Sequence, residues 1–243
     1  MTDKLIALVT GANRGIGFEV CRQLAAQDYS VIVSGRDQAK VEQAAAQLAH
    51  AGGSAHPLVL DTADDRSARA AAEQVASRFA RLDVLVNNAG GNFDMGNVAS
   101  SVSLQYVRET LEMNLLGAWR VTQSMLPLLR QSRRGRIVNV SSQVGAFESS
   151  DPYGLQQMGG AVPAYAVSKA ALNALTVKLA AELRASGILV NSVCPGWTAT
   201  YPGAAEQGAR PVAEGAASVV WAATLPDDGP SGGFVRDGVR LSW

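Results

Sequence analysis

The first two dozen residues restrict the fold more than any other stretch. Leu5 to Val9 form a short, uninterrupted apolar run, which is the pattern of a strand buried on both faces. Ile16, Val20 and Leu24 then recur at every fourth position, one face of a helix. Between them stands Thr-Gly-Ala-Asn-Arg-Gly-Ile-Gly, residues 10 to 17. Gly11 permits the turn, Gly15 lets backbone N–H groups approach a ligand, and Gly17 lets the helix pack on the strand. A helix N-terminus at such a joint carries about half a positive charge and unpaired N–H donors, so its natural guest is a phosphate or pyrophosphate. The glycines at 11, 15 and 17 depart from the G-x-G-x-x-G spacing of most dinucleotide folds, and a merely structural turn is the competing reading.

Beyond this joint, strand and helix periods alternate with no break in composition, repeat or linker, which predicts successive βαβ units and a parallel sheet. Strands are expected at Ser30 to Gly35, Leu58 to Leu60, Val84 to Val86, Ile137 to Val140, Ile188 to Val193 and Gly233 to Val235, with one long helix over Leu104 to Leu129. The 243 residues suffice for one large domain, 1–243. Net charge is zero and the longest basic run is Arg133-Arg134, so neither nucleic acid nor an anionic membrane is an expected partner. No apolar span reaches membrane-crossing length and the start lacks a signal-peptide pattern, which points to a cytoplasmic location. Cys21 and Cys194 read as small core residues, His50 and His56 as surface groups around a glycine turn, and no cluster has metal-ligand spacing.

The glycine stretch resembles the opening motif T-G-x-x-x-G-x-G of the short-chain dehydrogenase/reductase family. Three further stretches carry the likeness: Asn87-Asn88-Ala89-Gly90 after a strand, Tyr165-Ala166-Val167-Ser168-Lys169, and Pro195-Gly196-Trp197-Thr198. The resemblance implies a doubly wound parallel β-sheet (a Rossmann fold) of about seven strands with helices on both faces. It also implies binding of NAD(H) or NADP(H). Gly11, Asn13, Arg14, Gly15, Ile16 and Gly17 would face the cofactor phosphates, and Asp61 and Thr62 the adenine. Asn88, Ala89 and Gly90 would run beside the ribose, and Pro195, Gly196, Trp197 and Thr198 along the nicotinamide. For Asp61 a helix-capping role is the alternative.

In such folds an acid about 20 residues past the glycines holds the ribose 2′-hydroxyl of NAD, whereas an arginine accommodates the 2′-phosphate of NADP. Here Gly35 takes the acid's place and Arg36 follows, with Arg14 as a second cation. NADP(H) is therefore expected, and Asp37 keeps NAD(H) as the alternative. Tyr165 and Lys169, four apart on a helix, share a face, and an ammonium there should lower the phenol's pKa. By resemblance Asn114, Ser142, Tyr165 and Lys169 are the catalytic group, with Tyr165 and Lys169 also contacting the cofactor, Lys169 at the ribose. An Asn inside an apolar helix is otherwise unfavourable.

Ser142 and Tyr165 lie 23 residues apart, further than in the common family arrangement. The extra stretch, Phe147 to Pro163, is loop-like, and it resembles the insertion of the family's carbonyl reductases. With Trp197 it supplies the expected substrate contacts, Phe147 and Tyr153 beside Ser142. The expectation is a monomer, or failing that a dimer, that interconverts a carbonyl and an alcohol on a small molecule. An NAD(H)-dependent alcohol dehydrogenase, a dehydratase or epimerase of the same fold, and a catalytically idle NADP-binding regulator are the competing readings.

Overall fold

The computed structural model describes residues 4–91, 94–148, 154–156 and 160–243. Among these, eight strands form one sheet: β1 (Ile6–Val9), β2 (Ser30–Gly35), β3 (Ser54–Val59), β4 (Val84–Asn87), β5 (Arg136–Val140), β6 (Leu189–Val193), β7 (Phe234–Arg236) and β8 (Val239–Arg240). The helices are α1 (Gly15–Ala26), α2 (Gln38–His50), α3 (Asp65–Phe79), α4 (Leu104–Leu111), α5 (Gly117–Leu129), α6 (Pro163–Leu183) and α7 (Val212–Ala223). The sheet order is β3-β2-β1-β4-β5-β6-β7-β8. Every pair is parallel except β7 with β8.

Alternation along the central strands divides the core between the two faces. Ile6 and Leu8 pack with Met125, Leu129, Leu172 and Leu179 of α5 and α6. Ala7 and Val9 pack with Val20 and Leu24 of α1, Leu48 of α2 and Val219 of α7. The strand order reverses between β1 and β4, and a ligand crevice opens at such a switch point, beyond the strands' C-terminal ends. The glycine stretch leaves β1 there, and Asn88-Ala89-Gly90 leaves β4.

Three elements depart from expectation. The sheet gains β8, a two-residue antiparallel strand reached through Asp237 and Gly238, both at positive φ (53° and 76°). β3 is longer at its start, so His56 is on a strand and half-buried, its Nε2 2.8 Å from Ser30 Oγ. The helix over 104–129 is broken by a π-helical turn, Glu112–Leu116, which holds Asn114. No described helix is long and apolar enough to cross a membrane.

Candidate active site

The glycine stretch is shaped by contacts that exclude side chains. Gly11 and Gly15 have φ of 62° and 58°, a region costly for other residues. A Cβ on Gly17 would lie 2.5 Å from Asn88 Nδ2 and 2.8 Å from the Gly11 carbonyl oxygen. Gly17 thus lets α1 close on the loop after β4 as well as on its own strand. The Asn88 amide donates to the carbonyls of Thr10 (2.8 Å) and Gly11 (3.2 Å), while Thr10 Oγ1 accepts from the amides of Asn88 (3.0 Å) and Ala89 (2.9 Å). The two loops are one locked unit.

Above that unit, α1 begins with no side-chain cap and no acid in its first turn. Its open N–H groups and dipole suit an anion. Arg14 is the residue before the helix, and both it and Arg36 are exposed. Asp37, the acid nearest the expected 2′-hydroxyl position, accepts from the Lys40 amide at 3.1 Å and pairs with its ammonium at 3.1 Å. These bonds, the backbone one first, hold its carboxyl below the usual range. Asp61 is not the cap of α3, because Asp64 accepts from the Arg66 amide there. Asp61 instead accepts from the Ala63 amide at 3.0 Å, and Arg120 anchors the segment by donating to the Thr62 carbonyl at 2.6 Å.

Asn114 is 1% exposed. Its carbonyl accepts from the Gly91 amide (2.9 Å), and its Nδ2 donates to the Gly91 carbonyl (2.9 Å) and to Ser168 Oγ (3.0 Å). Ser168 in turn donates to the Tyr165 carbonyl at 2.7 Å. The loop must pass close: a Cβ on Gly90 would meet Asn114 Oδ1 at 2.9 Å and Lys169 Nζ at 3.5 Å. Ser142 begins a 3-10 turn, Gln143–Gly145, its Oγ accepting from the Val144 amide at 3.3 Å. That turn sits directly on α6, since a Cβ on Gly145 would fall 2.5 Å from the Ala170 nitrogen.

Tyr165 and Lys169 are buried, and the Lys169 ammonium donates to the Val140 carbonyl at 2.8 Å. It lies 5.6 Å from the Tyr165 ring centroid. The expected lowering of the phenol's pKa is therefore corrected. Burial raises it, Cys194 raises it further, and the hydrogen bond with Ser142 is what pulls it down. Burial also pushes Lys169 down to about 8, for the same reason: the charged form loses its water. At neutral pH the phenol keeps its proton.

On the remaining side, Thr198 is buried, and its hydroxyl donates to the carbonyls of Pro195 (3.2 Å) and Gly196 (3.1 Å). Gly196, at φ 73°, passes under Arg210, which ties the segment down by bonding its amide to the Trp197 carbonyl at 2.8 Å. Trp197 and Phe147 are exposed. Tyr153 lies outside the described residues. Asn13 faces the end of β2, its Oδ1 3.5 Å from a Cβ on Gly35, and Ile16 packs on the core.

Asn114, Ser142, Tyr165 and Lys169 thus meet around the ends of β4 and β5, beside the uncapped end of α1. The glycine loop, closed to a Cβ at Gly17 and tight at Gly11, and the open helix amides fit a dinucleotide phosphate. Thr10, Ser168 and Asp94, which bonds the start of α6, were missed by sequence reasoning. The first two lie inside motifs already singled out, but nothing in the sequence around Asp94 marks it.

A family model described as short chain dehydrogenase matches residues 5–209. The short-chain dehydrogenase anuI of Penicillium roqueforti is 37% identical, over 91% of this chain and 89% of that protein. Carbonyl reductase [NADPH] 3 of Mus musculus is 34% identical, over 98% of each chain. Among solved structures, the NADPH-bound carbonyl reductase from chicken fatty liver superposes with a TM-score of 0.84 at 25% identity, covering 99% of this chain and 95% of that one.

Proposed function

The chain belongs to the short-chain dehydrogenase family, and from that premise we propose that it is an NADP(H)-dependent oxidoreductase that interconverts small carbonyl compounds and alcohols. The observation that carries this reading is the meeting of Tyr165, Ser142, Lys169 and Asn114 beside the uncapped N-terminus of α1. The carbonyl reductases among its relatives, one of them NADPH-bound, support the same substrate class and cofactor.

When bound, the nicotinamide supplies the hydride for reduction. Gly11, Asn13, Gly15, Ile16 and Gly17 would hold the phosphates at the end of α1, Arg14 and Arg36 the 2′-phosphate, and Asp61 and Thr62 the adenine. Asn88, Ala89 and Gly90 would border the ribose, and Pro195 to Thr198 the nicotinamide. Tyr165 gives the phenolic proton to the substrate oxygen, and Ser142 holds that oxygen by its hydroxyl. A phenol carries its proton at neutral pH, as the acid must when the carbonyl arrives. Lys169 binds the ribose, and Asn114, fixed to Gly91 and Ser168, keeps the proton route beside Lys169 in place. Phe147 and Trp197 would wall the substrate, within the same single domain.

The loss of NADPH absorbance with a panel of ketones, aldehydes and quinones tests the reading. Turnover of one of them supports it. Binding of NADPH with no turnover on any would favour a catalytically idle binder, and equal rates with NADH the NAD(H)-dependent alternative.

A further inference from the structure

The helix that carries Tyr165 has no cap of its own. Val162, the residue before it, holds a left-handed backbone at φ 52°, which is costly for a β-branched residue and disfavoured before proline. Its side chain accepts nothing. Of the first four backbone nitrogens in α6, Pro163 has no hydrogen to give, and the Ala166 amide donates to the Val162 carbonyl at 2.9 Å. That leaves the amides of Ala164 and Tyr165. Both are taken by a side chain from the loop after β4: Asp94 Oδ2 accepts from Ala164 at 2.9 Å and Oδ1 from Tyr165 at 3.2 Å.

Asp94 is 2% exposed, and a carboxylate is rarely sunk so deep without specific work. Two features suit it to this place. It is the short side chain with two acceptor oxygens and no donor, so it can meet two amides at once. Its charge also faces the positive end of a 21-residue helix. The same loop grips the rest of the site. Gly91 holds Asn114 through both its amide and its carbonyl, and Val98 pairs with Ala161, just before the helix.

We propose that Asp94 is a positioning residue for proton transfer, fixing Tyr165 along the axis of α6 relative to Ser142 and Asn114. The proposal rests on the reading of Tyr165 as the proton donor. Asp94→Asn replaces one acceptor with a donor that faces an amide hydrogen, so one of the two bonds is lost and the helix start shifts. Misplacement by about 1 Å can cost roughly 100-fold in rate.

The test measures turnover and NADPH affinity for Asp94→Asn in two backgrounds, the natural chain and Tyr165→Phe. Expected in the natural chain is a fall in kcat of about 10- to 100-fold, with NADPH affinity held. In the Tyr165→Phe background the same substitution should change the residual rate by less than about two-fold, because the group it positions is gone. Asp94→Ser, which keeps one acceptor, is read in the same way if the Asn variant does not fold. Unchanged turnover, or an equal fall in both backgrounds, would overturn the proposal. Normal turnover by Tyr165→Phe alone would instead overturn the reading of Tyr165, so the two failures are distinguishable.

Discussion

On the proposed reading, the preference for NADP(H) is set at the end of β2. Gly35 closes the strand, Arg36 follows it, and Arg14 follows Asn13, whose Oδ1 lies 3.5 Å from a Cβ on Gly35; both arginines are exposed. A hydrogen bond to a charged group contributes about 1.5–3 kcal/mol, and exposed groups belong at the lower end because water and salt screen them. About 1.5 kcal/mol per arginine is roughly tenfold each, so the pair should favour NADPH over NADH by about 100-fold at low salt. Arg36→Gln should remove about tenfold of that preference and leave NADH affinity unchanged. Adding Gly35→Asp places a ribose-binding acid, but its Cβ would stand 3.1 Å from Val41 Cγ1, so Val41 must give way by a few tenths of an ångström. Titration of both cofactors, followed by nicotinamide fluorescence at two salt concentrations, measures each affinity. Equal affinities in the natural chain, or an unchanged ratio in Arg36→Gln, would refute the argument.

Three other outcomes are expected. His56 is held below its ordinary pKa, first by burial and then by Arg78. The unfolded chain therefore binds the proton more readily, and stability that is complete above about pH 6.5 is lost as pH falls below it. Melting curves between pH 7.5 and 5 should show a decline in stability that His56→Gln lacks. Shortening the segment 147–162, or Trp197→Ala, should reorder a carbonyl panel while NADPH affinity holds, and an unchanged ranking would place recognition elsewhere. Sedimentation at micromolar concentration should give a mass near 25.3 kDa, whereas a mass near four chains would refute the monomer.

What the sequence disclosed was chiefly local. Tyr165 and Lys169 sit one helical turn apart, and the glycines near position 11 sit between a strand and a helix, so spacing alone places them. Asn114 was legible as an amide in an apolar helix, though the π turn around it was not, because nothing in Glu112–Leu116 breaks the helical period. Asp94 was invisible for a different reason. Its partners are 70 and 71 residues away, and a cap supplied by another segment leaves no mark at the helix it caps. β8 did have a signal: Asp237-Gly238, between Phe234-Val235-Arg236 and Val239-Arg240, is a hairpin pair, easily passed over because the strands it joins are so short. The direction of the Tyr165 pKa was not legible because sequence shows the neighbouring ammonium but neither the burial that raises the phenol nor the Ser142 hydrogen bond that lowers it.

The central claim is that the Tyr165 hydroxyl delivers the proton. Tyr165→Phe deletes that one oxygen and leaves the buried ring in place, so the site's packing should survive. Acid–base groups contribute about 10²- to 10⁴-fold, and single-turnover oxidation of bound NADPH by the best carbonyl in the panel should slow by that much while NADPH affinity is unchanged. A Tyr165→Phe enzyme that turns over near the natural rate, with its cofactor bound as tightly, would contradict the account.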